Sequence, residues 1–281
     1  MLKPIKRLLQ EELKKLSKKE LSLLPSSYQK IGDIVILNLK KELWKYDEKI
    51  GKILLKKIPR TRTVCRRTGF ITTEHRKPSL KVIAGDRKTE TIHKEHGIGY
   101  KLDVNKIMFA KGNLNERKRV AKLVKKDEVV VDMFAGIGYF SIGIAKTSKP
   151  KRVYSIEINH VAYRYLRENI KLNKLKYKIT PILGDCIVEI PKLGRTADRV
   201  IMGLLPSCKE YLVDAMKVVK VNGIIHYHGT AKKEDWKKLL EEVETVAEIE
   251  GFKVKLLKKV KVKSYAPKVY HWVLDCKILE T

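Results

Sequence analysis

The chain has 281 residues, 43% of them hydrophobic, which is enough for about two domains with real cores. It carries 62 Lys and Arg against 32 Asp and Glu, a net charge of +30. An excess that large on one sign points to a polyanionic partner, RNA or DNA. A thermophile's charged surface, which the scarcity of glutamine (Gln10 and Gln29) would fit, raises both signs together and does not account for it. No uninterrupted apolar stretch is long enough to span a membrane, and no signal-peptide core opens the chain. The four cysteines, Cys65, Cys186, Cys208 and Cys276, form no C-x-x-C pair. That argues against a zinc site or a disulfide framework, and it leads us to expect no metal and a cytoplasmic protein.

Residues 1–25 place Leu2, Ile5, Leu8, Leu9, Leu13, Leu16, Leu21 and Leu24 at helical spacing, with a break near Ser17 and a stop at Pro25-Ser26-Ser27. The pattern predicts a docking or dimer helix. Residues 26–103 read as a small basic α+β domain: a strand at 31–39, a helix at 42–58, and strands at 62–67, 80–85, 90–93 and 99–104. Basic residues gather in its turns, Arg66 and Arg67, then Arg76 and Lys77, close to Phe70, His75 and His93. Such a set suits contact with an RNA backbone, and solvated loops are an equally good reading of any one of them.

From residue 104 to 281 the rhythm becomes βαβα. A helix at 115–125 precedes strands at 129–133, 152–156, 177–183, 199–202 and 223–228, with helices between them and a long one at 232–250. Two final strands, 252–263 and 269–279, end the pattern. This predicts an α/β fold with a parallel sheet covered on both faces and an antiparallel pair at its end. Ligands of such sheets bind beyond the carboxyl ends of the strands.

The candidate site residues collect at those ends. Strand 129–133 runs through Asp132 into Phe134, Gly136 and Gly138, where glycine lets a ligand lie against the main chain and the next helix supplies unpaired N–H groups. Strand two ends in Glu157, placed to accept both hydroxyls of a ribose. Strand three runs into Asp185-Cys186, strand four into Gly203-Leu204-Leu205-Pro206-Ser207, and strand five into His226-Tyr227-His228. Ser141 is small enough for a dinucleotide-binding loop, but Asp132 would repel a pyrophosphate and suits a cationic ligand instead. A tight turn with no ligand is the plain alternative.

The spacing Asp-x-Phe-x-Gly-x-Gly resembles motif I of the class I S-adenosylmethionine-dependent transferases. With Asp103-x-x-Lys106-Ile107-Met108-Phe109, Glu116-Arg117 and Asp198-Arg199-Val200-Ile201-Met202, the chain resembles the archaeal and eukaryotic tRNA guanine-N1 methyltransferases. It equally resembles their paralogues, the wybutosine-synthesis aminocarboxypropyl transferases. The resemblance covers about residues 28–281 and implies S-adenosylmethionine as the donor and tRNA-Phe as the partner; sequence leaves the oligomeric state open, with a monomer favoured. It further implies that the backbone near Ala110, together with Arg117 and Gly203, helps hold the donor, with Glu157 on its ribose and Asp185 and Cys186 on its adenine.

Two departures favour the aminocarboxypropyl branch. The methyltransferases typically carry an Asn-Leu-Pro type motif where this chain has Gly203-Leu204-Leu205-Pro206, and an arginine where it has Asn113. These positions are expected to orient the donor. A sulfonium activates three carbons, so holding a different one in line, about 3 to 3.5 Å from the nucleophile, changes the group transferred. The expected reaction moves 3-amino-3-carboxypropyl onto C7 of 4-demethylwyosine in tRNA-Phe, with His226 or His228 as a candidate base and a structural role as their alternative. Guanine-N1 methylation, a chain that does both reactions, and an inactive tRNA-binding protein are the rival readings. A small-molecule methyltransferase fits poorly with the charge.

Overall fold

A computed structural model describes residues 4–69, 78–109 and 111–281, and the chain divides into two compact units, residues 1–109 and 110–281. The division falls slightly beyond the boundary expected from sequence. Ala110, Phe70, His75, Arg76 and Lys77 lie outside the described residues.

In the first unit, helices α1 (Ile5–Glu12) and α2 (Lys18–Ser22) are separated where Ser17 starts a new helix with a capping box. Its hydroxyl accepts from the Glu20 N–H while the Glu20 carboxylate accepts from the Ser17 N–H. The expected strand at 31–39 is instead a hairpin, β1 (Gln29–Ile31) and β2 (Ile34–Leu37), turning at Gly32-Asp33. Apolar residues on both sides of a two-residue turn hide it from a periodicity reading. Helix α3 (Asp47–Lys57), entered through a 3-10 segment at Lys41–Tyr46, crosses over to β3 (Thr63–Arg67), which pairs parallel to β2. Strand β4 (Leu80–Gly85) closes the sheet, and β5 (Glu90–Glu95) with β6 (Ile98–Asp103) forms a separate ribbon. Ile5, Leu9, Leu13 and Leu16 share one core with Leu43, Ile50 and Leu54, so the N-terminal helix docks within its own unit.

The second unit opens with α4 (Leu114–Leu123) and then alternates: β7 (Val129–Asp132), α5 (Ser141–Thr147), β8 (Arg152–Glu157), α6 (His160–Leu172), β9 (Ile179–Leu183), α7 (Cys186–Leu193), β10 (Ala197–Met202), α8 (Leu212–Val218), β11 (Val219–Lys232), α9 (Lys237–Ile249), β12 (Phe252–Ala266) and β13 (Val269–Glu280). The strand order is β12-β13-β11-β10-β7-β8-β9. Strands β7 to β11 are parallel, β13 is antiparallel between β11 and β12, and β12 is the edge. This is the class I transferase sheet. Its core runs from Val131, Val200 and Ile225 to Val243 and Leu274. Strand β11 extends well past the expected 223–228, because β13 pairs with it as far as Lys232. Among the described residues, no helix is long and apolar enough to cross a membrane, and no group of side chains could hold a metal ion.

Candidate functional site

The order of strands reverses on either side of β7, and the loop that follows β7 threads between its neighbours. Met133 N–H donates to Ile201 of β10 at 3.1 Å, and Ala135 N–H donates to Ile156 of β8 at 2.9 Å. Gly136 (φ 58°) and Gly138 (φ 96°) adopt the left-handed conformation that disfavours a side chain. A Cβ at Gly136 would lie 2.6 Å from the Tyr139 ring, and one at Gly138 would lie 2.6 Å from Ile142. The loop is therefore a bare-backbone cradle, with Tyr139 closed against it and the buried Arg117 guanidinium 4.7 Å from the centre of that ring.

Glu157, at the end of β8, fastens this cradle. Its Oε2 accepts from Gly136 N–H and its Oε1 from Asn159 N–H, each at 2.7 Å. Asp185 caps α7, its Oδ1 accepting from Ile187 N–H at 3.0 Å. Cys186, the first residue of that helix, is buried, and burial pushes its thiol pKa up to about 12, so it offers its backbone rather than a thiolate. Phe134 packs edge-on to Tyr211 at 4.9 Å.

Asp132 is wholly buried. Its Oδ2 accepts from the Ser141 hydroxyl at 2.6 Å, and Ser155 in turn donates to Ser141 at 2.7 Å. Its Oδ1 has no partner among the described residues, and burial raises its pKa to about 6. The amide oxygen of Asn113 is likewise buried without a partner among the described residues. An orphaned acceptor on Asp132, at the start of a bare-backbone loop, fits a ligand that brings hydrogen-bond donors and positive charge.

The loop after β10 passes over Phe140, where a Cβ at Gly203 would stand 3.3 Å from the ring. Thr230 N–H ties that loop to β11 by donating to Pro206 at 2.9 Å. Leu204 is half-buried, Leu205 buried and Pro206 exposed. Gly203 thus lies against Phe140, just after the glycine cradle, and Pro206 is tied to β11.

The two histidines sit differently. His226 is fully buried, with Nδ1 2.6 Å from Asp275 Oδ1 and Nε2 2.8 Å from the Arg199 guanidinium. Arg119 joins Asp275 to Glu116, and Arg199 also pairs with Glu128. Desolvation lowers the His226 pKa despite Asp275, and Arg119 with His226 holds the Asp275 carboxyl well below the usual range. Both ring nitrogens are engaged, so His226 has no site left for a substrate proton. His228 bonds to His271 at 3.0 Å and packs edge-on to Phe140 at 5.4 Å, and burial pushes both imidazoles down, His271 to about 4. Asp275 is not singled out by the sequence motifs; a lone acid in the apolar run Val273-Leu274-Asp275-Cys276 is the available signal, because a buried carboxylate requires a partner.

Arg66, expected in an RNA-contact surface, is buried. It bonds to both oxygens of Asp47 at 2.8 and 2.9 Å and stacks 3.7 Å over Trp44, which removes it from any exposed surface. Arg67 is half-buried and donates to Gln29 at 3.1 Å.

Comparison with known proteins agrees with this architecture. Residues 91–257 match the TRM5/TYW2 methyltransferase domain, and residues 5–89 match the TYW2 N-terminal domain. The chain is 47% identical to the tRNA(Phe) (4-demethylwyosine(37)-C(7)) aminocarboxypropyltransferase of Methanocaldococcus jannaschii, over 89% of this chain and 97% of that protein. It is 39% identical to the tRNA (guanine(37)-N(1))-methyltransferase Trm5b of Pyrococcus abyssi, over 91% of this chain and 76% of that one. The crystal structure of M. jannaschii TYW2 in complex with AdoMet superposes with a TM-score of 0.73 at 41% identity, covering 91% of this chain and all of that one (100%).

Proposed function

The chain belongs to the TRM5/TYW2 methyltransferase family, and from that premise we propose that it transfers the 3-amino-3-carboxypropyl group of S-adenosylmethionine to C7 of 4-demethylwyosine in tRNA-Phe. The observation that carries this reading is the match to an aminocarboxypropyltransferase over 89% of this chain and 97% of that protein, combined with an N-terminal domain of TYW2 type. Guanine-N1 methylation is the less favoured alternative, because Gly203 stands where the methyltransferases typically carry asparagine. Action in the cytoplasm, as a monomer, completes the proposal.

The sulfonium of S-adenosylmethionine supplies an activated carbon and leaves as a neutral thioether. Everything else falls to the chain. Gly136 and Gly138 bring bare backbone to the donor, and Glu157 is positioned for its ribose hydroxyls while it fixes the loop. Asp185 and the Cys186 N–H are placed for the adenine edge. Gly203 to Pro206, with Asn113, would choose which carbon faces the nucleophile. No side chain of the His226 network is assigned a proton-transfer step, and solvent can take the C7 proton.

Analysis of the nucleoside by-product by chromatography tests the reading. Methylthioadenosine is expected; S-adenosylhomocysteine would show methyl transfer instead.

A further inference from the structure

Strands β11, β13 and β12 project beyond the end of β10, whose last paired residue, Met202, lies beside Tyr227. Residues 228–232 of β11 continue as a three-stranded wall with 269–273 of β13 and the end of β12. The wall rises at the same sheet edge as the glycine cradle and borders the Gly203–Pro206 loop through the Thr230–Pro206 bond.

On its α9 face this wall carries two lysines in a particular setting. Lys259 Nζ lies 3.7 Å from the centre of the Trp236 ring and 5.6 Å from that of Trp272, and Lys261 Nζ lies 4.6 Å from that of Tyr270. Trp272 is itself anchored, its indole N–H donating to Ala231 at 3.2 Å. Both lysines are exposed, and no residue from 252 to 268 is acidic. An aromatic face attracts and orders an ammonium without cancelling its charge, whereas a carboxylate would neutralise it. Much of the entropy cost of fixing a lysine is thereby met before any ligand arrives.

Charge along an edge strand also deters edge-to-edge pairing, and Lys253 and Lys255 at the other end of β12 serve that purpose wherever they point. Protection of an edge does not require seating each ammonium on a ring. Nor does it require those seats to lie at the ligand-binding end of the sheet.

We propose that Lys259 and Lys261, held on Trp236, Trp272 and Tyr270, form a phosphate-binding platform that grips the backbone of the substrate tRNA beside the donor site. The proposal rests on the functional reading for the identity of the RNA, and on the geometry for the surface.

The test compares Lys259→Gln/Lys261→Gln with Lys253→Gln/Lys255→Gln, measuring tRNA-Phe binding by filter retention over a range of salt concentrations. The platform double variant should bind about tenfold more weakly and show a salt dependence shallower by between one and two released ions. The control pair should change binding far less, and S-adenosylmethionine affinity should hold in both, which reports an intact fold. Unchanged tRNA affinity in the platform variant, an equal loss in the control, or a wild-type protein that does not bind tRNA would overturn the platform. Label transfer by the wild type, run in parallel, tests the functional reading separately, because weakened binding supports the platform whichever group is transferred.

Discussion

Glu157 Oε2 accepts a hydrogen bond from Gly136 N–H across 2.7 Å, joining the end of β8 to the loop that follows β7. One carboxylate therefore shapes the cradle and, in the proposed reaction, also receives the donor's ribose. Replacing it with glutamine leaves one of the two backbone donors without a proper acceptor, at a cost of about 1–3 kcal/mol. Glu157→Gln should weaken S-adenosylmethionine binding by roughly tenfold or more, and Glu157→Ala should abolish it. Titration calorimetry that returned wild-type affinity for either variant would refute the assignment.

Asp185 has two separable duties, the α7 cap and the proposed adenine contact. Asparagine caps a helix about as well as aspartate, whereas alanine loses about 1 kcal/mol. Asp185→Asn should keep its thermal midpoint while losing donor affinity, and Asp185→Ala should lose both. An asparagine variant with full affinity would reduce Asp185 to a cap.

At Gly203 the decisive neighbour is Phe140, whose ring lies 3.3 Å from where a Cβ would stand. Gly203→Asn would push the loop off Phe140 and alter which carbon faces the acceptor. Aminocarboxypropyl transfer should fall by at least about tenfold, the effect of a misplacement on the order of 1 Å. Transfer at the wild-type rate would remove this loop from donor orientation.

The pH response has a definite sign. Burial holds His271 down near 4, below its ordinary value of 6.5, and lowers His226 and His228 in the same direction. The His271 contribution to stability is complete above about pH 6.5 and is lost as the pH falls toward 4. Asp132, raised to about 6, acts the opposite way, adding stability as the pH falls from 6 toward the ordinary carboxylate range. Comparing His271→Gln with wild type cancels the Asp132 contribution. Between pH 7 and 5 the wild type should lose about 2 kcal/mol more than the variant in urea unfolding. Parallel pH profiles would show that His271 is not held neutral.

The sheet of the second unit is legible in the sequence because short apolar strands such as Val129–Asp132 alternate with helices and the strand ends carry polar residues. The hairpin at Gly32-Asp33 and the extension of β11 to Lys232 are not, since the first lies between apolar flanks and the second depends on pairing with a distant β13. Among the candidate site residues, Glu157 and Asp185 can be named from position alone. What sequence does not reveal is that Arg66 faces Asp47 and His226 faces Asp275, because both pairs join residues far apart in the chain. A charged or imidazole side chain reads the same whether it meets solvent or a buried partner.

In the proposed reaction the γ carbon of the methionine arm, rather than the methyl, reaches the RNA. Incubating the protein with tRNA-Phe bearing 4-demethylwyosine and S-adenosylmethionine labelled in either the carboxyl or the methyl carbon distinguishes the two. Carboxyl label should enter the RNA with no methyl label beside it; methyl label alone would contradict aminocarboxypropyl transfer.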